Sequence, residues 1–382
     1  MLSRLAGYFP VVWVDPAPGW RDVLTNRRRR SAPASGELVP PGLIRYQPPA
    51  WLPTFQRPGW LARLTFDARL RHARFLLTSR GCTKIILYLW RPQFAPALTS
   101  MSFDLSCYHI VDEYSFSSTE VPVDAVEMKL ISDVDQVFIH SPGLLERLGS
   151  RNPNTLFVPN GVDYASFSTP AAEPADLASI PAPRIGYVGC IKRHLDWSLI
   201  KQLIGRHRDW SFVFVGPVMP HPEIFPIVEE LSRAENVHFL GAKSSRESAV
   251  YAQHFDVCMM PYALSDYSAH FIYPLKLHEY LASGSPVVGT RIRSLEPFAE
   301  VVSLALTLDD WSRAISLNLS ENSKSASLRT IRQAIARDHD WNVLVARIAN
   351  TLRERLDSKV RLAKRLGLPA FSRKAPTLSD PT

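Results

Sequence analysis

A chain of 382 residues is longer than one ordinary hydrophobic core supports, so two domains are expected. With 46% hydrophobic and 21% charged residues it has the balance of a folded globular protein, which excludes a chain disordered throughout. The formal charge of +8 favours anionic partners, whether phosphates or an acidic lipid surface, without choosing among them.

The chain opens on an apolar run ending in Val11-Val-Trp-Val-Asp15 before Pro16, which reads as a buried strand over 10–14. No small-residue cleavage site follows it, and no window reaches the roughly 18 uncharged apolar residues of a membrane span. A cytoplasmic location is therefore expected. Arg27-Arg-Arg-Arg30 comes next, between Pro- and Gly-rich stretches and hence on a loop. It reads either as a solvated run or as a peripheral contact with the anionic inner face of the cytoplasmic membrane. No aromatic residues interleave with it, which argues against nucleic acid as a partner.

Strands are then expected over 84–89, 105–111, 136–140 and 155–158, with helices over 60–79, 121–132 and 142–148. This βαβα order predicts a parallel sheet covered by helices on both faces. The stretch 164–183 carries Ser-Thr-Pro-Ala-Ala-Glu-Pro and Ile-Pro-Ala-Pro, which is linker composition. A second series follows, with strands over 184–188, 211–215, 237–240, 257–260, 286–289 and 301–306. Its helices are expected over 196–206, 223–233, 245–254 and 274–283. Apolar residues at Trp341, Val345, Ile348, Leu352 and Leu356 have helical spacing, and the basic, Pro- and Ser-rich end beyond them is expected to fray. The domain plan is 1–168, a linker over 169–183, a second domain over 184–339, a helix over 340–357 and a tail over 358–382. The class is α/β, with two doubly wound Rossmann-like domains facing a cleft where ligands are expected.

Cys82, Cys107, Cys190 and Cys258 lie far apart, with no C-x-x-C and no zinc-like spacing, so reduced thiols and no metal site are expected. Three of them sit in apolar, strand-like runs and are expected to be buried.

Two constellations point to chemistry. In Arg184-Ile-Gly-Tyr-Val-Gly-Cys-Ile-Lys-Arg193 a strand ends at Gly189, where a backbone without a side chain lets a ligand approach. The N–H groups of the next helix, with Lys192 and Arg193, suit a diphosphate, although the spacing is not that of a dinucleotide fingerprint. A plain structural turn carrying two solvated cations fits the same string. In Tyr273-Pro-Leu-Lys-Leu-His-Glu-Tyr280, Pro274 suits the first turn of a helix that Gly284 would stop. Lys276 and Glu279 share one face, where the ammonium can meet a phosphate and the carboxylate can accept from two ribose hydroxyls. An ordinary ion pair is the simpler account of those two residues alone. His109 and Asp112, at the end of a strand, can orient or deprotonate an acceptor hydroxyl, or serve the core and cap the next segment.

The string Phe255-Asp-Val…Met260-Pro261, then Pro274-x-Lys-x-x-Glu-Tyr-Leu-Ala-x-Gly-x-Pro-Val-Val288, resembles the donor-binding signature of GT-B glycosyltransferases of family 4, the glycosyl transferases group 1. Val134-Asp-Gln-Val-Phe-Ile-His-Ser-Pro142, Val158-Pro-Asn-Gly-Val-Asp-Tyr-Ala-Ser-Phe167 and His339-Asp-Trp341 are similar to further motifs of that family. Tyr108-His-Ile-Val-Asp-Glu-Tyr114 resembles a stretch of members that build bacterial cell-surface polysaccharides, including exopolysaccharides. The resemblance covers roughly 11–356. It implies metal-independent, retaining transfer of a hexosyl unit from a nucleoside-diphosphate sugar to a glycan or lipid-linked saccharide, with no further cofactor. It also implies Glu279 at the donor ribose, Lys276 and Lys192 or Arg193 at the diphosphate, and Gly189 at the close approach. Phe271 stands where members often carry a glutamate near the sugar. The start at Met1 resembles the first helix and second strand, leaving a first strand and its acceptor loop without a counterpart. Two other functions fit such a chain: a sugar-nucleotide epimerase, and a non-catalytic scaffold or regulator of glycan assembly.

Overall fold

The computed structural model describes residues 1–24, 40–55, 57–113, 124–320 and 325–366. The arginine run 27–30 and the end of the tail lie outside the described residues. The chain forms two compact units: Met1–Phe138 with Gly149–Leu156 and Val345–Thr382, and Ile139–Leu148 with Phe157–Leu344.

In the first unit, β1 (Val11–Val14) pairs in parallel with β2 (Leu43–Tyr46), a short strand that the sequence pattern did not announce. A four-stranded sheet follows in the order β3 (Ile86–Leu89), β4 (Leu105–Ile110), β5 (Gln136–Ile139) and β6 (Thr155–Phe157). All six residues of β4 are buried, as in a strand covered on both faces. The last helix runs over Trp341–Arg365, beyond the apolar periodicity that suggested an end near 356. Its extension is held by charge: Lys359 Nζ meets Asp135 Oδ2 at 2.7 Å, and the Arg355 guanidinium donates to Gln136 Oε1 at 3.2 Å and to Asn154. Such polar anchors leave no trace in hydrophobic spacing.

The second unit is built on six strands: β7 (Arg184–Val188), β8 (Ser211–Val215), β9 (Val237–Phe239), β10 (Val257–Met260), β11 (Val287–Thr290) and β12 (Val302–Ala305). Every pairing in it is parallel, and the order is β12-β11-β10-β7-β8-β9. That order is the doubly wound one, with its reversal between β7 and β10. Alternate side chains feed two cores. Val188, Val213, Val215, Cys258 and Met260 enter one, whereas Tyr187, Phe212, Phe214, Val257 and Met259 enter the other. Burial on both faces explains why these strands read as continuous apolar runs.

The stretch with linker composition is packed into this unit. Leu177 and Ile180 are buried in its first core, and Asp176 accepts from Tyr251 Oη and Lys243 Nζ, each at 2.7 Å. Its prolines and alanines conceal these two anchors. Two helices also escaped the sequence reading. Leu308–Leu319 opens on a Thr307/Asp310 capping box and buries Trp311 and Ile315, while Ala326–Asp338 buries Arg332 and Ala336. Of the cysteines, Cys107 and Cys258 are buried, but Cys190 is exposed because it follows the end of β7.

Candidate functional site

The carboxyl ends of β7 and β10 flank the point where the strand order reverses, the usual seat of a ligand in an open parallel sheet. The chain leaves β7 at Gly189, whose φ of +137° is a glycine conformation. The loops leaving the two strands are zipped together. Asp196 N–H donates to Pro261 O at 2.8 Å, and Ala263 N–H donates to His194 O at 2.9 Å.

Gly189 is one of three. β8 and β9 are followed by Gly216 and Gly241, also at positive φ, and a hydrogen-bond chain links the set. Gly189 N–H donates to Val215 O and Gly216 N–H to Gly241 O, both at 2.8 Å. A Cβ on Gly216 would lie 2.7 Å from the carbonyl carbon of Gly189, so the two backbones meet with no room between them. The sequence reading used only Gly189. The recurrence of glycine directly after each of three apolar runs was the available signal.

The helix Leu275–Ser283 supplies the charged groups. It opens at Pro274, extended at ψ 128° and without a side-chain cap, and stops at Gly284, left-handed at φ +78°. Its last carbonyls are capped by Arg332, which donates to Gly284 O at 3.3 Å, and by Gln333, which donates to Ala282 O at 3.2 Å. Cation at the carboxyl end and open N–H groups at the amino end both favour an anion near the first turn. By contrast, the helix Trp197–Arg206 is closed by its own Asp196, whose Oδ1 accepts from Leu199 N–H at 2.9 Å. The anion-binding terminus expected after Gly189 is thus already occupied by a carboxylate, and the uncapped one belongs to the other helix.

Lys276 reaches back onto Gly189. A Cβ there would sit 2.5 Å from Lys276 Cε and collide with Nζ as well. The ammonium lies 5.0 Å from the centroid of the Tyr187 ring. Burial pushes the Lys276 pKa below its ordinary value; Lys192 pushes it the same way, while Glu279 opposes them. Glu279, one turn on, is raised above the usual carboxylate value by burial, against the pull of Lys276. Each keeps some exposed surface in a densely packed surrounding. Among the described residues no hydrogen bond acts on either, so the two feel each other through the field. The simple surface ion pair is therefore not what the structure forms. An ammonium and a carboxylate are instead held a turn apart and partly dehydrated, where each interacts strongly with an incoming ligand.

Of the expected donor-site residues, Gly189, Lys276 and Glu279 come together. Lys192 is exposed and near enough to act on Lys276, and Arg193 is exposed beside it. Tyr187 and Tyr280 were not foreseen as contributors. Tyr187 backs the ammonium, and Tyr280 Oη accepts from the Val188 N–H at 2.8 Å, fastening the helix to the strand end. The segment before the helix holds a short helical turn, Asp266–His270, capped by Ser265. Helix Pro142–Leu148 comes so close that a Cβ on Gly143 would lie 2.9 Å from the His270 carbonyl carbon. Arg147 lies 5.6 Å from the centroid of the Phe271 ring.

His109 and Asp112 belong to the first unit. His109 is buried, with Nδ1 2.7 Å from Tyr88 Oη and its ring stacked on Trp90 at 4.8 Å. Asp112 accepts from the N–H of Glu113 at 2.9 Å. His278 is buried, with Nε2 2.8 Å from Tyr273 Oη and its ring stacked on His339.

Known proteins resemble this chain in sequence and in fold. Residues 182–310, which include all the donor-site candidates, match the family described as Glycosyl transferases group 1. The chain is 31% identical over 238 residues to the "Putative teichuronic acid biosynthesis glycosyltransferase TuaH" of Bacillus subtilis (strain 168). That match covers 59% of this chain and 58% of the relative, so the chain spans less than two thirds of its length. Among solved structures, a trehalose-6-phosphate synthase studied with bisubstrate glycomimetics is similar at a TM-score of 0.60 and 13% identity, covering 90% of this chain and 99% of that one. The lipopolysaccharide outer core galactosyltransferase WaaB, in its apo form, is similar at a TM-score of 0.56 and 15% identity, with the same coverage of 90% and 99%. At such identities the structures speak for the fold alone. The chain has the GT-B fold, and its residues 182–310 match the family of glycosyl transferases group 1.

Proposed function

We propose that this chain is a glycosyltransferase of polysaccharide biosynthesis that transfers a hexosyl unit from a nucleoside-diphosphate sugar to a glycan or lipid-linked acceptor, with retention. The observation that carries the reading is the Lys276 ammonium lying on Gly189 at the switch point, with Glu279 one turn away. In this reading Lys276, one of Lys192 and Arg193, and the open amino end of Leu275–Ser283 stabilise the leaving diphosphate without a metal ion. Glu279 accepts from the ribose hydroxyls. His109 or Asp112 orients the acceptor hydroxyl, and the work is done at the inner face of the cytoplasmic membrane.

A thermal-shift screen against UDP-, GDP- and ADP-sugars identifies the donor, since a bound ligand raises apparent stability by mass action. Lys276→Ala and Glu279→Ala should each abolish the shift at ligand concentrations that saturate the parent protein. Unchanged donor affinity in both variants would sink the assignment. Transfer that persists in excess EDTA, with the anomeric configuration read by NMR, tests metal independence and retention separately.

A further inference from the structure

The helix Gly59–Thr78 is built inside out. Its buried face carries Thr65, Arg69 and Ala73, and Arg69 spends its guanidinium on the carbonyls of Leu52 and Pro53 at 3.4 and 3.2 Å. Trp60, Leu64 and Phe75 are 69%, 52% and 62% exposed. Positions 60, 64, 71 and 75 fall on one stripe at 3.6 residues per turn, with Arg71 between Leu64 and Phe75. Single exposed apolar residues are ordinary, but a tryptophan, a leucine and a phenylalanine aligned on one helix face are not.

The exposed charge around this helix is almost all of one sign. Arg63 and Arg71 are exposed, as are Arg57 just before the helix and Arg80 just after it. Asp67 is the helix's one acidic residue, and it is spent on Arg63 at 3.1 Å. Arg57, Arg71 and Arg80 have no ion-pair partner among the described residues. No described helix, this one included, is long and apolar enough to cross a membrane.

We propose that the Trp60–Leu64–Phe75 face of this helix docks on an anionic phospholipid surface, the three side chains entering the headgroup boundary and the flanking arginines meeting lipid phosphates. An aromatic–aliphatic stripe bordered by unpaired guanidinium groups suits the interface of a bilayer, where an amphipathic helix lies in the plane and tryptophan sits at headgroup depth. The arginines select the sign of the lipid charge, and their pull falls off within a Debye length. This inference sharpens the expected membrane contact by giving it a surface, and it does not depend on the donor reading.

The test is flotation of the full chain with phosphatidylcholine vesicles, with and without 30% phosphatidylglycerol, in low and high salt. The parent chain should float with the anionic vesicles only, and high salt should weaken that binding. The triple variant Trp60→Ser, Leu64→Ser, Phe75→Ser should bind at least tenfold more weakly, as should Arg63→Glu with Arg71→Glu. Circular dichroism and the nucleotide thermal shift, both unchanged, would establish that the variants are folded. Equal binding of parent and triple variant, or no preference for phosphatidylglycerol, would overturn the proposal. So would self-association in sedimentation velocity that the triple variant abolishes, because the face would then belong to a second copy.

Discussion

Gly189→Ala separates the structural and the ligand-binding demands made on one atom. The backbone there has φ +137°, which costs a side-chain-bearing residue about 1–3 kcal/mol. For a unit of this size that lowers Tm by roughly 2–12 °C. The new methyl also claims the place of Lys276 Cε, 2.5 Å from its built position. A lysine end is flexible, so it moves aside without breaking the fold, and the ammonium loses its station at the switch point. A charged hydrogen bond to phosphate contributes about 1.5–3 kcal/mol, so the nucleotide Kd should rise about 10- to 150-fold. Gly205→Ala is the control: nothing lies within 4 Å of its built Cβ, and the helix should gain about 0.5–1 kcal/mol. Thermal denaturation and titration calorimetry with a nucleoside diphosphate read both quantities. If Gly189→Ala binds within twofold of the parent, or is as stable as Gly205→Ala, the reasoning about Lys276 fails.

Further outcomes follow from the same geometry. Nucleotide affinity should pass through a maximum with pH. It should fall on the acid side as Glu279 gains a proton above the usual carboxylate range, and on the alkaline side as Lys276 loses one below the usual lysine range. Calorimetry across a pH series that gave a flat profile between about pH 4 and about pH 10 would contradict this. Because the folded pKa of Glu279 is raised, keeping it ionised costs stability at every pH above its unfolded value; because that of Lys276 is lowered, keeping it charged costs stability at every pH below its unfolded value. The double variant Lys276→Met, Glu279→Gln should therefore melt higher than the parent at neutral pH without ligand, while losing the nucleotide-induced shift; a lower melting temperature would refute the sign. Tyr280→Phe leaves the buried Val188 N–H without its 2.8 Å partner and should cost about 1–3 kcal/mol in urea denaturation.

Where burial on both faces dictated composition, the sequence was readable. β7, β8 and β10 were expected over the residues they occupy, and the helix at 275–283 was bounded by the residues that bound it, Pro274 and Gly284. Lys276 and Glu279 were found because a helix places them on one face. What stayed hidden depends on contacts distant in sequence. β2 is a short strand whose partner lies across a long gap in sequence, and Ala175–Ala178 is held by Lys243 and Tyr251. The helix Gly59–Thr78 was located from its length and apolar content, yet its direction was illegible, since its buried arginine is recognisable only beside the carbonyls it serves.

The three glycine-ended strands make the floor of the site out of bare main chain. A floor without side chains has no chemical preference of its own to mutate, and any replacement there meets a conformational penalty before it touches a ligand. In the proposed reading, selectivity would be written in the segments that follow these glycines, 190–193, 217–219 and 242–244. The first two of these are braced against each other by the Ile191–Val218 bridge. A combinatorial library confined to those segments would leave this foundation unaltered, whereas one that included Gly189 or Gly216 would load most of its members with a conformational penalty before any ligand is met.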